Sequence, residues 1–271
     1  MPTSPSDLHP TTLQAQLPQQ PCGNAIIYQQ QVDSTNTIAR TAARADHPEG
    51  LVVIAEHQQA GRGQYGRRWV DAPGQSLLVS LLLRPTWLAP QHAPTLINAF
   101  VAVLAEAIAT CIQHPVAIKW PNDIVITDAG QRYKVAGVLC EGQTTATTMH
   151  SMVVGFGVNV HFQATAVVDG SDMTHRSRPL SHWYPAVTRP QVLVETLRRF
   201  DVVYRMLQHD PNAYQSQWLH LLGDITGQQM RIRQGSQVVV GSVQTINADG
   251  SLMMTTATGV VRVQSGILES E

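Results

Sequence analysis

Gly61-Arg62-Gly63-Gln64-Tyr65-Gly66-Arg67-Arg68-Trp69 follows directly on an apolar run, Leu51-Val52-Val53-Ile54-Ala55, that reads as a buried strand. Glycines let a backbone approach a ligand closely and adopt positive φ. Arginines offer planar, permanently charged forks for phosphate or carboxylate, and Trp69 offers a face for stacking. A strand feeding such a loop points to an anion site with an aromatic lid, whose natural ligand is an activated acid or a nucleotide. The same residues also fit a solvated basic loop, or a short Arg-Gly segment touching RNA.

Composition narrows these readings. At 271 residues the chain holds one large domain, or a large and a small one. Apolar residues make up 43%, enough for a sizeable core, and no run approaches transmembrane length, so no membrane partner is expected. A net charge of −1 argues against a broad nucleic-acid-binding surface. The start of the chain lacks the charged and apolar regions of a secretory signal. The three cysteines, Cys22, Cys111 and Cys140, show neither a disulfide framework nor a zinc pattern. A reducing, cytoplasmic setting fits best. Of the 18 basic residues only Lys119 and Lys134 are lysines. A compact ammonium suits a point contact to a phosphate or carboxylate oxygen better than a guanidinium fork does.

Taken in order, residues 1–24 are rich in Pro, Gln, Ser and Thr and read as a disordered leader. Ala25-Ile26-Ile27-Tyr28 opens the first strand. Asp33-Ser34-Thr35-Asn36 then precedes an alanine-rich helix, and is either a plain N-cap or a polar ligand contact. Leu51 to Gln58 forms a strand ending in an amide, and Ser76 to Leu83 reads as a fully buried strand. A core helix starting at Pro94 follows. Pro121, after Val116-Ala117-Ile118-Lys119-Trp120, implies an edge or bulge that turns Lys119, Asn122 and Asp123 outward together. Asp128-Ala129-Gly130 is a hairpin turn, and the returning strand begins at Lys134. Met152 to Val160 is a further apolar strand, broken by Gly155 and Gly157. Residues 163–188 show no period, and Thr174 to Arg178 reads as a solvated basic loop. Helices are expected over Gln191 to Gln208 and roughly Asn212 to Leu221. From Gln229 onward short strands, with a turn at Asn247 to Gly250, predict a compact β-barrel. Arg262 there is either a surface charge or a contact to a nucleotide or partner. The eleven histidines show no metal spacing.

Lys119-Trp120-Pro121-Asn122-Asp123, Lys134-Val135-Ala136-Gly137-Val138-Leu139-Cys140-Glu141 and Gly155-Phe156-Gly157-Val158-Asn159-Val160, with Asp33 to Asn36 upstream, resemble biotin protein ligase in order and spacing. The resemblance covers roughly residues 25 to 268. It implies an α+β fold: a central mixed β-sheet flanked by helices, of the class II aminoacyl-tRNA synthetase-like type, over 25–222. A small SH3-like β-barrel is expected over 223–271. Some bacterial relatives carry an N-terminal winged-helix repressor domain. Too little chain precedes the first strand for one, so DNA binding is not expected.

The implied reaction is attack of the biotin carboxylate on the α-phosphorus of ATP-Mg, then transfer of biotin from biotinyl-5′-AMP to a lysine of a biotin carboxyl carrier protein domain. Two anions must meet, so Arg62 and Lys134 are the candidate catalytic residues. Biotin contacts carry over to Ser34, Thr35, Asn36, Gln58, Gly61, Arg62, Gly63, Gln64, Lys134 and Gly137. ATP contacts carry over to Arg62, Arg67, Trp69, Lys119, Asn122, Asp123, Lys134 and Asn159. Asp123 is the candidate Mg²⁺ ligand. Many relatives have arginine where this chain has Gln64. Some relatives pair through the central sheet, so a homodimer is compatible with the resemblance. A lipoate or octanoate ligase of the same superfamily and a non-catalytic biotin sensor are the alternatives.

Overall fold

The computed structural model describes residues 6–17, 22–162, 167–168, 171–172 and 177–269. Among these, seven strands form the main sheet: β1 (Ala25–Val32), β2 (Leu51–Gln58), β3 (Ser76–Leu83), β4 (Ala117–Lys119), β5 (Asp123–Asp128), β6 (Gln131–Thr144) and β7 (Met149–Asn159). Their order is β1-β2-β3-β7-β6-β5-β4, with β1 and β2 parallel and the other neighbours antiparallel. The parallel pair requires a crossover, supplied by α2 (Thr35–Arg44) after the short α1 (Pro10–Leu13).

The two faces of the sheet differ. On one, Val52, Ile54, Leu77, Val79, Leu81, Val154, Phe156 and Val158 belong to one large core with α3 (Ala93–Ile112), α4 (Arg189–His209) and α5 (Gln215–Leu222). Phe100 bridges it, 5.3 Å from Phe156 and 4.8 Å from Phe200 between ring centres. Contrary to the expectation that no run approaches transmembrane length, residues 90–112 are long and apolar enough to cross a membrane, but most of this segment is buried within the fold. On the other face, Leu51, Val53, Leu82 and Val153 form a much smaller cluster with Ala39 and Ala43 of α2, bordered by Ala25 and Ile27. The rest of that face is left for other uses.

The amino-terminal segment corrects the expectation of a disordered leader, for residues 6–17 at least. Leu8 and Leu13 are fully buried and Leu17 nearly so, all within the large core. Polar ties back them up. Arg189 at the start of α4 is buried and pairs with Glu56 (2.6 Å) and with Asp7, and Ser6 bonds Glu56. Burial alone would push the Glu56 carboxyl up, but the bonds from Arg189 and Ser6 outweigh it and hold it below its ordinary value. Three leucines among Pro, Gln, Ser and Thr carried too little periodicity to be read as core.

Thr174, His175 and Arg176 lie outside the described residues, between the two-residue strands β8 (Val167–Val168) and β9 (Ser171–Asp172) and the rest of the chain. Ser177 and Arg178 are not the solvated loop expected. Ser177 is buried and bridges to Lys134, while Arg178 pairs with Asp128 (3.0 Å) and lies 3.8 Å over the Tyr133 ring.

The carboxy-terminal strands β10 (Gln229–Gln234), β11 (Gln237–Ile246), β12 (Leu252–Thr256), β13 (Gly259–Val263) and β14 (Ile267–Glu269) form an antiparallel sheet in the order β13-β12-β11-β10-β14. Among the described residues the outer strands share no ladder, so the sheet is open where a closed barrel was expected. Its β11–β12 turn docks on the main core. Trp120 Nε1 donates to Gly250 O (2.9 Å) and Asn98 Nδ2 to Asp249 O (3.2 Å). Gly250 combines φ 84° with a space that Asn98 and Trp218 already fill, so no larger residue fits there. Arg262 pairs with Asp249 (2.5 Å) within this sheet, which accounts for its charge.

Leu13→Ala is expected to cost about 2–4 kcal/mol in urea unfolding, the usual penalty for a buried leucine. A cost under about 0.5 kcal/mol, typical of a surface position, would return this segment to solvent.

Candidate active site

Residues paired directly across a sheet share a face, and alternation carries that face along each strand. Ser80 pairs with Gly155, Leu78 with Gly157 and Ser76 with Asn159. Gly155 pairs with Leu139, Gly157 with Gly137 and Val153 with Glu141. Asp123 pairs with both Gly137 and Lys119. Lys119, Asp123, Gly137, Glu141, Ser80, Gly155, Gly157 and Asn159 therefore share the face that α2 covers only in part. The three motifs of the sequence converge through cross-strand pairing and alternation, with the register shift between Ile124 and Val125 bringing Lys134 to the same side.

The glycines make this face a floor. A Cβ on Gly155 would overlap the Asn36 side chain, and one on Gly157 would lie 2.5 Å from the Trp69 ring. Asn36 and Trp69 can lie on the strands only because these positions have no side chain.

At the α2 end the polar groups are held by one another. Gln58 Oε1 accepts from the Thr35 N–H (2.8 Å) and hydroxyl (3.2 Å). The Ser80 hydroxyl bridges Thr35 Oγ1 (2.8 Å) and Asn36 Oδ1 (2.6 Å), and Asn36 Nδ2 donates to Glu141 Oε2 (2.8 Å). Ser34 occupies the N-cap position without making a side-chain cap bond. Asp33 to Asn36 is thus more than a cap.

At the other end the cations have carboxylate partners. Lys134 Nζ lies 2.5 Å from Asp123 Oδ1 and 5.6 Å from the Trp69 ring centre. Arg62 forks onto Glu141, at 3.0 and 3.4 Å, and Arg40 reaches the same carboxylate at 2.7 Å. Burial would raise the Glu141 carboxyl, but bonds from Asn36 and Arg40 and the charges of Arg62 and Arg40 hold it below its ordinary value. Asn122 is buried and bonds the Val138 carbonyl, which fixes the turn between β4 and β5 against β6. Asp123 is engaged by Lys134, and no cluster of three metal-ligating side chains exists among the described residues.

The glycine loop closes on itself. Gly63 N–H donates to Arg67 O (2.7 Å) and Trp69 N–H to Gly61 O (2.9 Å), making a small hairpin across the mouth. Tyr65 sits in the left-handed region at φ 56°, and its hydroxyl donates to Ser265 Oγ (2.6 Å). Beyond Trp69, Asp71 fastens the loop to β2 through His57 Nδ1 (2.7 Å) and the Gln58 N–H (3.3 Å). Arg62 Nε, Gln64 Oε1 and Trp69 Nε1 are buried without a protein partner, a concentration of orphaned polar atoms that marks a ligand site.

Fifteen of the sixteen residues expected at the site line a single cavity of about 830 Å³. The exception, Gly61, borders the adjoining recess behind the loop, where a Cβ would meet the Trp69 carbonyl. Sequence reasoning missed Ser80, concealed in an apolar strand, and Glu141, quoted within a motif but given no role. It also missed Arg231 and Leu268, which reach the cavity from the second sheet, because docking between sheets leaves no local signal.

Residues 28–159 match the Biotin/lipoate A/B protein ligase family. The chain is 30% identical over 250 residues to the bifunctional ligase/repressor BirA of Bacillus spizizenii, covering 91% of this chain and 74% of that protein. It is 30% identical over 243 residues to the biotin–[acetyl-CoA-carboxylase] ligase of Mycobacterium tuberculosis, covering 87% and 85%. The chain belongs to the biotin protein ligase family. Its fold matches the biotin protein ligase of Aquifex aeolicus, solved in complex with biotin and ATP, with a TM-score of 0.72 at 22% identity. That match covers 90% of this chain and 97% of the other.

The floor of this family member is testable without any ligand. Gly157→Ala should cost about 1–3 kcal/mol by overpacking against Trp69. In a Trp69→Ala background the same change should cost almost nothing. Equal costs in both backgrounds, by chemical denaturation, would show that the ring does not rest on Gly157.

Proposed function

We propose that the cavity seats biotin at its α2 end and ATP at its lysine end, with the biotin carboxylate and the α-phosphate meeting between Arg62 and Lys134. The observation that carries this reading is the single cavity joining an amide-and-hydroxyl end (Ser34, Thr35, Asn36, Gln58) to a cationic end (Arg62, Arg67, Lys119, Lys134). The chain is a ligase. It activates biotin with ATP to biotinyl-5′-AMP, and transfers biotin to a lysine of a carrier domain of a biotin-dependent carboxylase.

In the first step a carboxylate oxygen attacks the α-phosphorus and pyrophosphate leaves. In the second an acceptor amine attacks the acyl carbon and AMP leaves. No protein nucleophile is needed, because the substrates supply both. The chain's task is to bring two anions together and to stabilise charge as it builds, which prepaid positive groups do efficiently. Gln58, its carbonyl held by Thr35, presents its amide to the ureido ring. Gly61, Gly63 and Gln64 bring loop backbone near the acyl chain, and Gly137 lets the ligand approach β6. Trp69, resting on Gly157, offers its other face to adenine. Asn122 and Asn159 border the nucleotide. Mg²⁺ bound with ATP would screen the phosphate charge, and Asp123, which lines the lysine end of the cavity, is the carboxylate we assign to help hold it. We read the second sheet as an SH3-like domain facing the acceptor, and the setting as cytoplasmic. The names of the 30%-identical relatives leave the lipoate-ligase reading unsupported.

Biotin-dependent pyrophosphate release, followed by transfer to a purified carrier domain, tests the reading. Arg62→Ala and Lys134→Ala should each lower release about 10- to 100-fold, the effect of losing one charged hydrogen bond in the transition state. Wild-type rates in both variants would remove them from the mechanism. Gln64→Arg adds a cation beside the acyl-phosphate, so biotinyl-AMP should dissociate more slowly from it in a direct off-rate measurement. Equal or faster release would show that the neighbouring arginines already suffice.

A further inference from the structure

We infer that Glu141 is a positioning residue for adenylation, acting through Arg62. The inference rests on the assignment of Arg62 to the anionic reactants. Glu141 borders the recess of about 670 Å³ behind the glycine loop and does not line the main cavity, so it is not placed to touch substrate. Its carboxylate nevertheless joins three elements. It accepts from Asn36 and Arg40 on α2 (2.8 and 2.7 Å) and takes the Arg62 fork from the loop, while standing on β6 itself.

A guanidinium on a flexible stem has many rotamers, and a two-point contact removes most of them. With Glu141 behind it, Arg62 is held at the loop base, between the α2 end and the Lys134 end of the cavity. The same carboxylate orients the Asn36 amide, so one anion sets the positions of a group at the biotin end and a group at the phosphate end. Lys134 has its own partner in Asp123, and Arg40 borders neither cavity nor recess. Glu141 is therefore specific to Arg62 among the two proposed catalytic cations.

The test is a double-mutant cycle on the full chain with ATP and biotin, read as pyrophosphate release. Glu141→Gln keeps the shape and an acceptor for Asn36 but loses the charge under Arg62. It should lower kcat about tenfold, the scale of one charge-assisted contact, with KM for biotin changed less than about threefold. Trypsin should also cut faster within the Arg62–Arg68 loop, at an unchanged melting temperature. In an Arg62→Ala background Glu141→Gln should have no further effect on kcat. Arg40→Gln, which removes the other guanidinium on the same carboxylate, should stay within about twofold of wild type. Glu141→Asp, which keeps the charge, should recover part of the loss. An unchanged or raised kcat in Glu141→Gln would overturn the inference. So would an equal loss in the Arg62→Ala background, or the same loss in Arg40→Gln. If Arg62→Ala itself is fully active, the assignment of Arg62 fails first, which separates the two claims.

Discussion

The site depends on a strip of sheet that has no side chains. Gly137, Gly155 and Gly157 sit side by side across β6 and β7, on the face that α2 covers only at one end. Any Cβ at 155 or 157 would occupy the space of Asn36 or Trp69. The opposite face of the same strands is filled by Val154, Phe156 and Val158 in the core, so the backbone cannot retreat to make room. A rigid, closely packed sheet on one side and a bare floor on the other is what lets a ligand lie directly along the strands. Glycine normally weakens a strand interior. Here the long ladders of β7 with β3 and β6 offset that weakness.

The electrostatics of the site follow from the same geometry. A cleft lined by Arg62, Lys119, Lys134 and Arg67 would repel itself if its charges were unbalanced. Glu141 beneath Arg62 and Asp123 beside Lys134 counter this, each within hydrogen-bond reach. Partly buried pairs of this kind contribute little net stability, since desolvation consumes much of the attraction. Their value lies in direction. Arg62 and Lys134 are each fixed before an anion arrives, and the anion then shares a guanidinium or ammonium whose position is already settled.

Sequence gathered the residues that line one cavity more fully than it described the fold around them. Lys119, Asp123, Lys134, Gly137, Gly157 and Asn159 were legible from the motifs they belong to, and the two lysines because the chain has no others. Strand alternation puts all but Lys134 on one face, and the register shift between Ile124 and Val125 brings Lys134 round to it. The strands and the long helices α3 and α4 were legible from their apolar periods. Leu8 and Leu13 were not, since two leucines in a polar segment become core only by joining a cluster assembled from the rest of the chain. Ser80 was masked by the apolar strand that carries it. The open form of the second sheet, and the reach of Arg231 into the cavity, depend on which strand edges pair and how one sheet docks on the other. No local pattern encodes either.

The carboxy-terminal end of β2 shows how tightly these parts are tied. Three consecutive polar residues close an otherwise apolar strand, and each fixes a different element. Glu56, buried on the core face, takes Arg189 of α4 and with it the segment around Asp7. His57, on the opposite face, holds Asp71 at the far side of the glycine loop. Gln58 holds Thr35 at the start of α2. Leaving a buried charge such as Glu56 without its partner costs about 3–5 kcal/mol, so the strand end has little freedom to shift. Because Gln58 and the loop anchor adjoin Glu56 in the chain, the amino-terminal segment and α4 help to hold the ligand-facing amide from behind. Thr35, Gln58 and Asp71 are near one another in sequence, but the strand end that sets them is held by Arg189, more than a hundred positions away.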